Sequence, residues 1–123
     1  MKEIENEFVK FWLKDGIMFG EYKPNKVVTI DAAKRIADDR IQLSENKSLP
    51  NLVFISNLSS VTKEARDYFS KGPGMNCISK LALITTSPIG RVTGNFFLQI
   101  NKPITATKLF TSVDEAVKWL KEV

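Results

Sequence analysis

Two short runs, Leu52-Val53-Phe54-Ile55 and Ile78 to Ile84, are apolar almost without interruption, and they narrow the folds open to this chain more than any other feature. A strand apolar on both faces must be covered on both faces, which is the pattern of an inner strand in a parallel sheet with helices packed against it. Each run is followed by a polar, turn-like segment and then by a helical pattern. After the first, Thr62 stands where it can cap a helix that carries Ala65, Tyr68 and Phe69 inward, and Lys71-Gly72-Pro73-Gly74 ends that helix with the strongest breaker cluster in the chain. After the second, Thr85-Thr86-Ser87-Pro88 opens a helix with Ser87 at the N-cap and Pro88 at the first helical position. This helix runs through Gly90, Val92, Phe96, Phe97 and Ile100 to Asn101-Lys102-Pro103.

The flanking segments complete the alternation. Phe8 to Leu13 and Ile17 to Tyr22 are β-type runs around Asp15-Gly16, the strongest short-range hairpin signal. Thr29 caps a helix of about residues 30 to 45, with Asp31 in its first turn and Ile30, Ala33, Ala37 and Ile41 on one face. Residues 104 to 110 read as a last strand. Ser112-Val113-Asp114-Glu115 is a capping box for a final helix that buries Ala116, Val117 and Leu120, with Trp119 at its margin. The order β-β-α-β-α-β-α-β-α describes an α/β chain: one domain over residues 1–123, with a mixed five-stranded sheet, four helices and right-handed crossovers.

Composition bounds the function. At 123 residues the chain buries roughly 65% of its unfolded surface and needs no disulfide or metal to fold. The net charge is +4, with Lys and Arg spread along the chain rather than gathered in a stripe, so nucleic acid is not an expected partner. The lone Cys77 excludes an internal disulfide and fits a reducing compartment. Residues 1–7 show no signal-peptide core and no run reaches the roughly 20 apolar residues of a membrane span, so the expected location is cytoplasmic. There is no histidine, which removes the commonest general base near neutral pH and leaves a poor ligand set for zinc. The expectation is a protein without catalytic residues, metal or cofactor.

Three blocks of residues carry a family resemblance. They are Ser60-Val61-Thr62-Lys63-Glu64-Ala65-Arg66-Asp67; then Ala82 to Ser87 with Gly94-Asn95-Phe96-Phe97 and Ile100-Asn101-Lys102-Pro103; then Leu109-Phe110-Thr111 with Glu115-Ala116-Val117-Lys118-Trp119-Leu120. In this order, over nearly the whole chain, they resemble the small SpoIIAA-like (STAS/Sec14-type) proteins of bacteria, especially an uncharacterised Bacteroidetes subgroup. The resemblance implies a five-stranded sheet with four helices. STAS domains include anti-sigma-factor antagonists, phosphorylated on a serine at the start of the helix after the third strand and acting by protein–protein contact. Where that motif carries an Asp-Ser-Gly-like turn, this chain has Leu58-Ser59-Ser60-Val61. Likeness to Sec14-type lipid-binding folds implies an apolar-ligand role or a peripheral role at a membrane surface.

Two constellations deserve weighing on their own chemistry. Ser59, Ser60 and Thr62 follow one apolar strand, and Thr85, Thr86 and Ser87 follow the other, with Arg91 one turn further on. Parallel neighbours would bring both clusters to one sheet edge, as a phosphate or carboxylate site or a phosphorylated switch. The plainer reading is ordinary helix capping, the commonest use of Ser and Thr at such positions. The helix over 88–100 is apolar nearly all round, with Gly90 and Gly94 one turn apart. It reads as core, as a homodimer face, or as one wall of an apolar cavity lined by Tyr68, Phe69, Phe96 and Phe97. Asp31, Asp38 and Asp39 read as a solvated face, and Cys77, Trp12 and Trp119 as incidental or packing residues. The leading function is a non-enzymatic regulatory or interaction module, self-associating or bound to a regulatory protein. The alternative is a binder of a small apolar or amphipathic ligand.

Overall fold

Asp15 and Gly16 turn the chain back on itself with φ of 53° and 77°, the left-handed conformation a two-residue hairpin turn demands. The structure, a computed structural model, describes residues 2–122. The hairpin strands are β2 (Val9–Lys14) and β3 (Ile17–Tyr22), paired so that Lys14 faces Ile17 and Phe11 faces Gly20. Ahead of them β1 (Glu3–Glu5) lies antiparallel on the outer edge of β2. After the hairpin come β4 (Val27–Val28), α1 (Ile30–Ser44), β5 (Leu49–Phe54), β6 (Ser60–Val61), α2 (Lys63–Ser70) and a short 3-10 turn (Gly72–Met75). The chain continues through β7 (Ile78–Ile84), α3 (Pro88–Phe96), a π turn (Phe97–Asn101), β8 (Thr107–Phe110) and α4 (Val113–Leu120).

The main sheet has six strands in the order β1-β2-β3-β5-β7-β8, antiparallel through β3 and parallel from there on. The mixed α/β character and the four helices are as expected, but the strand count and the order of elements differ in detail: the main sheet has six strands rather than five, and short strands stand before the hairpin, before α1 and before α2. The Glu-Ile-Glu edge strand is too brief for alternation to reveal it. A second, two-stranded piece pairs β4 with β6 in parallel and was equally invisible at two residues per strand. The last strand also starts at Thr107 rather than residue 104, and the third major strand starts at Leu49 rather than Leu52. The helix expected over 88–100 is α-helical only to Phe96 and continues as the π turn.

Alternation along the strands separates two layers. Leu52, Ala82 and Ile84 point to the side where Ala116 and Leu120 of α4 cover them. Trp12, Phe19 and Phe54 extend that side, stacked at 5.6 and 6.5 Å between ring centres. Leu81 and Leu83 point to the opposite side, with Ile55 and Met75, where Phe97 and Leu109 pack against them. There Val9, Phe11 and Met18 also meet Ala32, Ala33 and Ile36 of α1 and Ala65 of α2. Helices α1, α2 and α3 thus roof one face of the sheet, and α4 covers the other. The helices begin where the sequence says: Thr29, Thr62, Ser87 and Ser112 each accept a backbone N–H three residues on.

Candidate functional site

The carboxyl ends of β5 and β7 lie side by side, with Phe54 opposite Ile84, so both hydroxyl-bearing turns sit on one rim of the sheet. The hydroxyls of Ser59, Thr62, Thr85 and Ser87 are occupied locally. The Ser87 hydroxyl accepts the Gly90 N–H at 2.9 Å, and the buried Thr85 hydroxyl accepts the Ser87 N–H at 3.1 Å. The Thr86 N–H donates to Ser56 Oγ at 3.1 Å, which ties the two turns together. Thr62 caps α2 at Ala65, and Ser59 Oγ accepts the Asn25 N–H at 3.2 Å. Ser60 pairs with Val27 in the small sheet. Arg91 is exposed and borders an open depression with Thr85, Asn95, Lys108 and Glu115. Thr62 and Ser87 serve as helix caps, Thr85 shares the depression with Arg91, and Ser59, Ser60 and Thr62 do not line it.

A second feature lies under the roof. Between α1, α2, α3 and the sheet is a cavity of about 100 Å³. Phe11, Ile36, Ile55, Met75, Leu83 and Phe97 give it an apolar wall. Phe69 and Gly94 line it as well, whereas Tyr68 and Phe96 do not. Tyr68 packs edge-on against Phe69, and Phe96 is an exposed ring on which the Arg66 guanidinium rests at 4.7 Å. Polar contacts tie α2 to the segment after α3: Asn101 Nδ2 donates to Asp67 Oδ1 at 2.7 Å, and the Ile104 N–H donates to the Ser70 carbonyl at 2.9 Å. Lys63, hydrogen-bonded to Asp67, holds that carboxyl below its ordinary range, with a smaller push from Asn101.

Besides Thr93, four polar residues break the apolar wall: Tyr22, Arg40, Asn51 and Arg66. Arg40 sits on the buried stripe of α1 with Ala33, Ile36, Ala37 and Ser44, and only 4% of it is exposed. Its Nη2 donates to the Asn76 carbonyl at 2.7 Å, and its Nε is buried with no partner. Burial pushes this guanidinium down from its ordinary value, and the Tyr22, Cys77 and Tyr68 groups facing it pull it back up. It remains a cation, as arginine does in proteins. Asn51 is 1% exposed; its Nδ2 reaches the Leu49 carbonyl at 3.0 Å and its Oδ1 has no partner. Arg66 Nη1 donates to the Val61 carbonyl at 2.7 Å, and its Nε is also buried and unpaired. Tyr22 keeps some exposure, and burial raises its phenol to about 12, against a smaller pull from Arg40. It stays a neutral donor at every physiological pH. Each unmade buried hydrogen bond costs about 1–3 kcal/mol, so such groups in a folded protein call for an explanation.

None of these four was singled out from the sequence. The signal was present for Arg40, which falls at the spacing of Ala33, Ile36 and Ala37, and for Asn51, a polar residue inside an inner strand. Arg66 and Tyr22 carry no such mark, because half-buried ends of amphipathic elements commonly hold these residues.

On the other side of the roof, α3 turns Ile89 and Val92 to solvent, 63% and 70% exposed, and Ile100 of the π turn is exposed as well. Its inner side is Gly90, packed on Thr85, Ser87 and Ile55, and Gly94, packed on Leu109 and Ile55. The helix is thus neither wholly core nor wholly surface.

No curated protein of known function matches the sequence. Among solved structures, the chain is similar to an uncharacterised protein of the DUF3478 family with a SpoIIAA-like fold from Shewanella loihica PV-4, at a TM-score of 0.62 and 12% identity, with 95% of this chain and 98% of that one covered. At that identity the likeness establishes the SpoIIAA-like fold alone. It is also similar in sequence to a protein of unknown function from Arthrobacter sp. FB24, 30% identical over 92% of this chain and 99% of that one, with a TM-score of 0.34. A family model described as a domain of unknown function, DUF7793, matches residues 11–123, and the chain belongs to that family.

Proposed function

We propose that this chain is a non-catalytic binding module that takes a small, largely apolar ligand into the cavity beneath α1, α2 and α3. The observation that carries the reading is the combination of an apolar wall with buried, unpaired polar atoms on Arg40, Asn51 and Arg66. Apolar cavities with a few convergent polar groups are the usual form of ligand sites. The volume is of the right order: an engineered apolar cavity of about 150 Å³ in another protein holds benzene.

A panel of single-ring and short-chain compounds in anionic, neutral and cationic forms tests the reading. A compound present at 100 times its Kd stabilises the fold by about 2.7 kcal/mol, and amide shifts should concentrate at Phe69, Met75, Leu83 and Phe97. A panel in which no compound moves either the melting temperature or those amides would end it.

A second reading, a STAS-type regulatory module that associates with itself, is favoured by the outward face of α3. Ile89, Val92 and Ile100 form an apolar stripe that the fold does not cover.

A further inference from the structure

Arg40 and Arg66 both line one small apolar cavity, and among the described residues no carboxylate lines it with them. Among the described residues, the ion pairs involve Lys2, Lys10, Lys23, Lys26, Arg35 and Lys63, and neither Arg40 nor Arg66 has an acidic partner within 4.0 Å. A buried cation without a counter-charge is costly, and buried charges in proteins are paired or bind ions. The carbonyl of Asn76 satisfies one N–H of Arg40 but neutralises no charge. A guanidinium offers five N–H donors in a fixed fork that matches a carboxylate.

We propose that the cavity ligand is a small carboxylic acid, a short acyl chain or single ring whose carboxylate pairs with Arg40 and is flanked by Arg66. This deepens the binding reading above and rests on it. The apolar part lies against Ile55, Met75, Leu83 and Phe97, and the head meets the guanidinium fork on the α1 side. Tyr22, protonated because burial raises its phenol to about 12, adds a donor rather than a competing anion. A volume of about 100 Å³ leaves room for about one ring or a chain of comparable size.

The test compares matched probes on the full chain: hexanoate and benzoate, hexanol and benzyl alcohol, and hexylamine. Calorimetry should show the carboxylates binding at least about tenfold tighter than the alcohols, as expected for a charge-assisted pair, and hexylamine weakest. Arg40→Met should abolish the preference for carboxylate over alcohol while alcohol binding persists. Arg66→Met, on a less buried site, should narrow the same preference and serves if the first variant does not fold. Alcohols bound as tightly as carboxylates by the unmodified protein would overturn the carboxylate assignment and leave the cavity reading standing. Failure of every probe to bind would remove both.

Discussion

Replacing Gly90 with alanine should destabilise the protein, although alanine is the better helix former. The added Cβ would run into Thr85 Oγ1 and stand 2.8 Å from Ser87 Oγ and 3.1 Å from the Ile55 carbonyl. None of these can retreat cheaply. Thr85 is buried and holds the Ser87 N–H, Ser87 is the cap of α3, and Ile55 is fixed by its N–H to Ile84 at 2.8 Å. Overpacking of this kind costs about 1–3 kcal/mol, and disturbing the cap about 1 kcal/mol more. The gain in helix propensity returns about 1 kcal/mol. The net is a loss of about 2 kcal/mol, or about 8 °C in melting temperature for a domain of this size. Gly94, one turn later, is the control. There the Cβ would meet only methyl groups, Leu109 Cδ1 at 3.0 Å and Ile55 Cδ1 at 3.4 Å, which can turn aside. Gly94→Ala should therefore leave stability within about 0.5 kcal/mol of the parent, with the propensity gain offsetting the contact. Calorimetric melts of both variants decide the matter. Equal losses for the two, or no loss for Gly90→Ala, would refute the claim that the rim hydroxyls form a rigid structural cluster.

Two further outcomes follow from the site and the roof. Tyr22 has its phenol raised to about 12 against a value near 10 when unfolded, so the stability it contributes is complete below pH 10 and is lost as pH rises toward 12; Tyr22→Phe should flatten that alkaline decline in urea titrations, and an unchanged slope would place the phenol in water. Ile89→Lys combined with Val92→Lys should alter the melting temperature by no more than exposed sites usually do, about 0.5 kcal/mol per site, while sedimentation shows the parent associating and the variant monomeric; a parent that stays monomeric at high concentration removes the self-association reading.

The legible parts of the fold are those fixed by local chemistry. Asp15-Gly16 must turn, Thr29, Thr62, Ser87 and Ser112 must cap, and the apolar run at Leu81–Ile84 must lie inside a sheet. What escaped notice depends on partners distant in sequence. Glu3–Glu5 is a strand only because β2 offers an edge. The helix from Ser87 shows where apolar side chains fall, but not that Gly90 and Gly94 take the inner positions and Ile89 and Val92 the outer ones. For the cavity, Phe69 and Phe97 were readable as wall residues, since large rings on adjacent helices must meet something. Arg40 was passed over because an arginine in a helix is ordinarily solvated; its place on the Ala33–Ile36–Ala37 stripe is the feature that distinguishes it.

The terminal strand β1 also has a protective consequence. It covers the hydrogen-bonding edge of β2, whose Val-Lys-Phe-Trp-Leu sequence would otherwise be a template for another chain. Its own outward edge carries Glu3 and Glu5, each held by a lysine, Lys10 at 3.3 Å and Lys23 at 2.6 Å. Clipping the first six residues would leave the cavity and the helices untouched in composition, yet convert a shielded sheet into one that recruits its own kind.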